Sequence, residues 1–252
     1  MPTALALSPH LDDAAFSAGG LLATLAATGW RVVMATLFTR SVPAPEGFAL
    51  ACQLDKGLGP EVDYMALRRG EDDRAADALG IAPPLHLPFR EAPHRGYGSA
   101  PELFSGVRDD DRIDLDLAPA LADLIAGQGP DLILAPQAVG GHVDHVQVVR
   151  ALRTLTPAAP ILWWRDFPYT VREAHPKEPL ADLFADLPVR AFAFGEAAAG
   201  RKLAACAAYT SQIGFQFGGE AALAARLARE NATEGYRLEG RLPEPFPLCD
   251  AA

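Results

Sequence analysis

Short apolar runs alternate along the chain with longer stretches of helical spacing, and this alternation is the first constraint on the fold. Residues 3–9 (TALALSP) read as a buried strand, and 12–28 as a helix whose small residues let it lie close on a sheet. A second apolar, β-branched run at 30–39 (WRVVMATLFT) is followed by helical spacing over 63–79, with Gly80 as a stop signal. The pattern continues with a strand at 85–89 (LHLPF), a polar loop at 90–112, a helix at 113–127, a strand at 131–136 (DLILAP) and a helix from 143 to 155. Strands at 160–165 and 188–194, helices at 196–208 and 219–230, and a Pro-rich tail after 241 complete the reading.

Strands separated by helices of ten or more residues imply right-handed crossovers. The expected fold is therefore α/β: one Rossmann-like domain over 1–252, with a mostly parallel sheet covered by helices on both faces. Such sheets bind ligands beyond the carboxyl ends of their strands, where the strand order reverses. The loops at 40–62 and 90–112 are long for a compact domain, and ordered loops of that length commonly serve as lids or substrate walls.

Composition narrows the field. Half of the 252 residues are hydrophobic, enough for a large core without disulfides. With 22 Lys and Arg against 32 Asp and Glu the formal charge is −10, which argues against nucleic acid as a partner because phosphate binding needs clustered cations. The N-terminus lacks a basic leader, and no stretch approaches the ~20 apolar residues of a membrane span. Cys52, Cys206 and Cys249 are odd in number and far apart, which suits a reducing compartment and predicts a cytoplasmic address.

Two clusters carry chemistry, and both fall at carboxyl strand ends. Ser8-Pro9-His10-Leu11-Asp12-Asp13 follows the first strand; Gly140-Gly141-His142-Val143-Asp144-His145 follows the strand at 131–136. In a doubly wound sheet the first and fourth strands flank the switch point, so the clusters face one crevice. Imidazole and carboxylate suit Zn²⁺, whose catalytic sites use three protein ligands, with Fe²⁺, Mn²⁺ and Co²⁺ as competitors. His10, one of Asp12 or Asp13, and one of His142 or His145 supply the three. A metal lowers the pKa of a bound water, the remaining acid can act as base, and the remaining histidine can stabilise an oxyanion, with Asp144 fixing its tautomer. Taken singly, Asp12 or Asp13 reads as an ordinary helix cap. Gly140-Gly141 points to a close backbone approach, Gly19-Gly20 to tight helix-on-sheet packing, and Trp163-Trp164 to the core or a pocket wall. His86, His94 and His175 have no partner pattern and read as structural or surface residues.

"PHLDD" followed about 130 residues later by "HVDH" resembles the paired signature of the PIG-L/LmbE family of metal-dependent N-deacetylases. "RRGEDDRAADALG" at 68–80 and "KLAACAAYTSQ" at 202–212 resemble two further family segments, in the same order. The resemblance implies that His10, Asp13 and His145 hold the metal, that Asp12 is the general base, and that His142 polarises the substrate carbonyl with Asp144 behind it. It places Arg68 and Glu91 against substrate. It further implies a deacetylase core at about 3–212 with an extension over 213–252, and a tendency to homo-oligomerise. Leu11, Ala14 and Tyr209 depart from the family's usual Pro, Glu and His. The expected activity is zinc-dependent removal of an N-acetyl group from an N-acetylglucosamine-type conjugate. Hydrolysis of another small amide, as by a thiol-conjugate amidase, is the enzymatic alternative; sugar or metal binding without turnover is the other, which an intact spare base disfavours.

Overall fold

Thr3–Ser8 forms β1, a strand buried along its whole length, in a computed structural model that describes residues 1–172, 174–230 and 232–248. It leads into α1 (Asp13–Ala27), β2 (Arg31–Thr36), α2 (Gly47–Leu54), α3 (Tyr64–Leu79) and β3 (Leu85–His86). Next come α4 (Ile113–Gln128), β4 (Leu132–Pro136), α5 (Val143–Arg153), β5 (Ile161–Trp164) and two one-turn helices, α6 (Tyr169–Arg172) and α7 (Ala181–Phe184). β6 (Val189–Ala193), α8 (Glu196–Ala207), α9 (Thr210–Phe217), α10 (Glu220–Ala228) and β7 (Thr233–Glu239) follow.

The strands form one sheet in the order β3-β2-β1-β4-β5-β7-β6. β1 pairs in parallel with β2 on one side and β4 on the other, so the order reverses between β1 and β4. β7 runs antiparallel to both β5 and β6 and is the exception in an otherwise parallel sheet. Strand alternation divides the core in two. Ala4, Ala6, Leu132 and Leu134 face α1, α3 and α8, whereas Leu5, Leu7, Ile133 and Ala135 face α4 and α5. The expected α/β architecture, with helices on both faces, is the observed one. Trp163 and Trp164 are fully buried core residues on opposite faces of the sheet.

Local signals explain most boundaries. Asp63 caps α3 by accepting from the Ala66 N–H at 2.9 Å, and Gly80, at φ 75°, ends it in the left-handed region open to glycine. Five of these elements escape the pattern reading: α2 lies inside the loop at 40–62, α6 and α7 are single turns, α9 has only the pair Ile213 and Phe217 on its apolar side, and β7 reads as polar. In β7 (TEGYRLE) every second residue is buried, but one of these is Glu234. Its carboxylate accepts from Lys202 Nζ at 2.8 Å, from Tyr236 Oη at 2.8 Å, and from the backbone N–H groups of Gly20 and Leu21. A buried acid so fully paired keeps an interior place that its sequence does not advertise. β3 is shorter than the expected 85–89: its parallel ladder with β2 ends at His86, and beyond it a Phe38–Pro88 bridge and single backbone bonds of Leu87 and Phe89 continue the contact irregularly.

Gly20 is a packing requirement. A Cβ there would lie 2.3 Å from Cε1 of Phe194, a side chain left only 9% exposed. Gly20→Ala is therefore expected to destabilise the fold: overpacking costs about 1–3 kcal/mol, against roughly 1 kcal/mol of helix propensity gained. A midpoint shifted to lower urea checks this; an equal or higher midpoint contradicts the packing account. Among the described residues no helix is long and apolar enough to cross a membrane. Cys52 and Cys206 are free thiols, and Cys249 lies outside the described residues.

Candidate metal centre

The loop after β1 is shaped by Ser8, whose hydroxyl donates to the His10 carbonyl at 2.6 Å and accepts from the Ala14 N–H at 3.0 Å. That occupies a free N–H at the start of α1, and neither Asp12 nor Asp13 is needed as a cap. Asp12 makes no side-chain capping bond, and Asp13 Oδ2 turns back to accept from the His10 N–H at 2.7 Å. The second loop leaves β4 through Gly140, held at φ 92°, where a Cβ would stand 2.4 Å from Cγ of Tyr169. The close approach expected of the glycine pair is thus to this ring. α5 then begins with His142 as its cap, Nδ1 accepting from the Asp144 N–H at 3.2 Å.

The two loops meet. Asp13 Oδ2 lies 3.1 Å from His145 Nε2 and 3.3 Å from His10 Nδ1, and the two nitrogens are 3.3 Å apart. Two donors held ~2.0–2.1 Å from a tetrahedral ion stand roughly 3.3 Å apart, so this near-equilateral triangle has the dimensions of one face of such a shell. A looser set, the imidazoles of His10, His142 and His145, falls within 4.8 Å. We favour the set with Asp13, because it is tighter and brings a charged oxygen.

Both imidazoles of the triangle are held from behind. His145 Nδ1 lies 2.7 Å from Asp166 Oδ1, and the other oxygen of Asp166 accepts from the Val139 N–H. His10 Nε2 lies 2.8 Å from Asp144 Oδ2. A carboxylate behind each histidine is the usual arrangement around metal-ligating imidazoles. The link expected between Asp144 and His142 takes another form: the backbone N–H of Asp144 meets His142, while its carboxylate serves His10, Ala92 and Arg95.

Electrostatics separates the remaining groups. Burial and the neighbouring Asp13 push the Asp12 carboxyl up to about 7, against the pull of Arg68. Burial and the positive potential of His10 push His142 down to about 3. His142 is thus neutral with Nδ1 as acceptor, which leaves Nε2–H as a donor. Burial opposes charging His145, but Asp13 and Asp166 outweigh it and hold it up to about 9. Burial raises and His145 and His10 lower the Asp13 carboxyl, which stays well below its usual range. Carboxylates thus face both imidazoles of the triangle, Asp13 from the front and Asp144 and Asp166 from behind.

Arg68 and Glu91 both line the cleft and pair at 2.7 Å. Arg68 Nη2 also donates to the Leu11 carbonyl at 3.1 Å and lies 3.7 Å from Asp12 Oδ1. Phe48, Tyr64, Phe104, Tyr169 and Phe215 supply aromatic walls to this opening, which holds about 1140 Å³ of empty space counting its mouth. Ser211 and Gln212 do not reach the metal triangle. Ser211 bonds Glu71 through N and Oγ, and Gln212 bonds the Tyr64 hydroxyl. This pins α9 against α3, so that Gln216 donates to Asp12 Oδ2 at 3.0 Å. Tyr209, the departure from the usual histidine, donates to buried Asp72 at 2.6 Å.

The sequence reading missed Asp166, Arg95 and Gln216. Asp166 had a usable signal, since it follows the carboxyl end of β5 as the two motifs follow β1 and β4. Arg95 sits among many charges, and Gln216 has no mark in the sequence.

Known proteins resemble this chain in sequence and in fold. The PIG-L family profile, described as GlcNAc-PI de-N-acetylase, matches residues 5–156. A 2'-N-acetylparomamine deacetylase from Streptomyces fradiae is 36% identical over 192 residues, which are 71% of this chain and 66% of that protein. The chain thus spans slightly under two thirds of this relative. A teicoplanin deacetylase solved in a zinc-inhibited form superposes with a TM-score of 0.78 at 27% identity, over 97% of this chain and 100% of that one. An A40926 pseudoaglycone deacetylase gives 0.76 at 27% identity, over 95% and 98%.

Proposed function

This chain belongs to the PIG-L family, and on that premise we propose that it is a cytoplasmic hydrolase removing the N-acetyl group from an amino sugar of a small glycoconjugate. The observation that carries the reading is the triangle of His10 Nδ1, Asp13 Oδ2 and His145 Nε2, with one carboxylate and one neutral imidazole left over beside it. The donor set of two imidazoles and a carboxylate fits zinc, and also Fe²⁺, Mn²⁺ or Co²⁺. A divalent ion held there supplies Lewis-acid polarisation of the amide carbonyl and a more acidic water.

The chain's own groups do the rest. Asp12, steered by Gln216, takes a proton from the attacking water and returns it to the departing amine nitrogen. His142 offers its Nε2–H to the carbonyl oxygen as negative charge builds there. Burial keeps that imidazole neutral, so Nδ1 goes on accepting from the Asp144 N–H while Nε2–H is the donor. Arg68 fixes the Asp12 loop through the Leu11 carbonyl and, with Glu91, presents polar groups to the sugar hydroxyls. The aromatic walls suit the apolar faces of sugar rings. Similar proteins are named deacetylases of teicoplanin, of the A40926 pseudoaglycone and of 2'-N-acetylparomamine, and the family profile names GlcNAc-PI, which supports an N-acetylated amino-sugar conjugate as the class.

The test is acetate release from a panel of N-acetylglucosaminides, N-acetylated aminoglycosides and thiol-conjugate amides. The protein is stripped with a chelator and reloaded separately with Zn²⁺, Fe²⁺, Mn²⁺ or Co²⁺, since one relative's zinc form is an inhibited one. Acetate from an amino-sugar member, lost on stripping and restored on loading, is expected. Turnover confined to thiol-conjugate amides, or turnover indifferent to the chelator, contradicts the proposal.

A further inference from the structure

The loop at 90–112 does more than wall the cleft. We infer that Arg95 is a positioning residue that fixes the metal ligand His10 through Asp144, and thereby joins the substrate wall and the metal centre into one unit. The inference rests on the metal-centre reading above.

Asp144 is fully buried, and its two oxygens are divided between two tasks. Oδ2 lies 2.8 Å from His10 Nε2 and accepts from the Ala92 N–H at 3.1 Å; Oδ1 lies 2.7 Å from Arg95 Nη2. Arg95 is itself held on several sides. Its Nε and Nη2 form a fork on the two oxygens of Asp111, at 3.1 and 2.9 Å, and Nη1 donates to the Arg90 carbonyl at 2.6 Å. Its guanidinium lies over the Phe38 ring, 5.1 Å from the centroid. Asp111 in turn accepts from the Tyr97 hydroxyl at 2.9 Å, and its carbonyl accepts from Gln147 of α5 at 2.7 Å.

One guanidinium thus bridges two buried carboxylates, and only one of them belongs to the metal side. The planar fork matters: it satisfies Asp111 with two parallel bonds while its Nη2 stands 2.7 Å from Asp144 Oδ1 as an ion-pair contact, an arrangement of two carboxylates that an ammonium point charge cannot reproduce in one geometry. With Oδ1 pinned, Oδ2 stays aimed at His10, and the ring keeps Nδ1 turned toward Asp13 and His145. An outer partner of this kind sets both the orientation and the basicity of the ligating imidazole. The same loop carries Pro93, Leu103 and Phe104 into the cleft, and the Phe104 ring stands 5.3 Å from that of His142. Anything that tightens His10 therefore tightens the wall. Linkage makes this reciprocal: metal binding stabilises the loop, and an ordered loop strengthens metal binding.

The test uses the full chain with Zn²⁺ or Co²⁺ alone as the probe, comparing wild type with Arg95→Met and Arg95→Lys. Chelator competition is expected to show metal bound roughly 10–100-fold more weakly in Arg95→Met, the usual loss on removing an outer partner. Arg95→Lys, which keeps the charge and loses the fork, is expected to fall between that variant and wild type. The Co²⁺ visible spectrum should change in shape as well as in affinity, which a loss of bulk stability does not produce. Hydrogen exchange followed by mass spectrometry should show metal protecting residues 92–111 in wild type and failing to do so in Arg95→Met. Should Arg95→Met not fold by far-UV circular dichroism, Arg95→Lys carries the same comparison. Folded variants with wild-type affinity, Co²⁺ spectrum and metal-dependent protection overturn the inference. A wild-type chain that binds neither ion overturns instead the metal-centre reading beneath it.

Discussion

Asp12→Asn should lower kcat by about 10²–10⁴-fold, the contribution typical of one general acid–base group, while the protein keeps its metal. The substitution is nearly isosteric. Asparagine's Oδ1 can still accept from Gln216, so local geometry survives, but no group at that position can take a proton from water or hand it to the amine. KM should change little, because the side chain's partners are Gln216 and Arg68 of the protein. Stability should not fall: Asp12 is a buried carboxyl beside Asp13, and the amide removes a like-charge conflict that burial intensifies. Steady-state kinetics, metal content and a thermal melt on one preparation check all three parts. Turnover within tenfold of wild type removes Asp12 as the base.

Asp13→Ala, one residue away, should behave in the opposite way. It removes the one oxygen of the triangle and leaves the imidazoles of His10 and His145 facing each other without the carboxylate between them. Loss of a direct ligand exceeds the roughly 10–100-fold typical of an outer partner, so metal should be absent after ordinary purification and turnover undetectable. The variant should also be less stable, since the imidazoles of His145 and His10 lose the carboxylate that complements them. Adjacent carboxylates with divergent phenotypes, one losing chemistry and the other losing metal, are a signature that two helix caps cannot produce.

How much of this the sequence discloses follows from what kind of physics fixes each part. The β1 and β4 motifs were legible because the fold rule is positional: apolar runs locate the strands, parallel crossovers locate the switch point, and His10 through Asp13 and His142 through His145 occupy its two loops. Spacing alone left open which acid and which histidine face the metal, because neighbours at a helix start point ~100° apart. The family resemblance selected Asp13 and His145, and the coordinates give those two the short distances. What stayed hidden depends on contacts between distant segments. Glu234 looks like an exposed acid until Lys202 and the α1 backbone are placed around it, so β7 went unread. Arg95 looks like one more loop charge until Asp144 and Asp111 converge on it. Gln216 acquires meaning only once Ser211 and Glu71 have docked α9 over Asp12. In each case the deciding interaction joins residues far apart in the chain, and no periodicity records it.

Metal content per chain, measured by plasma mass spectrometry on wild type and on the His10→Ala, Asp12→Asn, Asp13→Ala, His142→Ala and His145→Ala variants, decides whether His10, Asp13 and His145 hold the ion. A single divalent ion per chain is expected in wild type, Asp12→Asn and His142→Ala, and none in the other three. An ion kept by Asp13→Ala and lost by His142→Ala would contradict this, assigning the site to the three imidazoles instead.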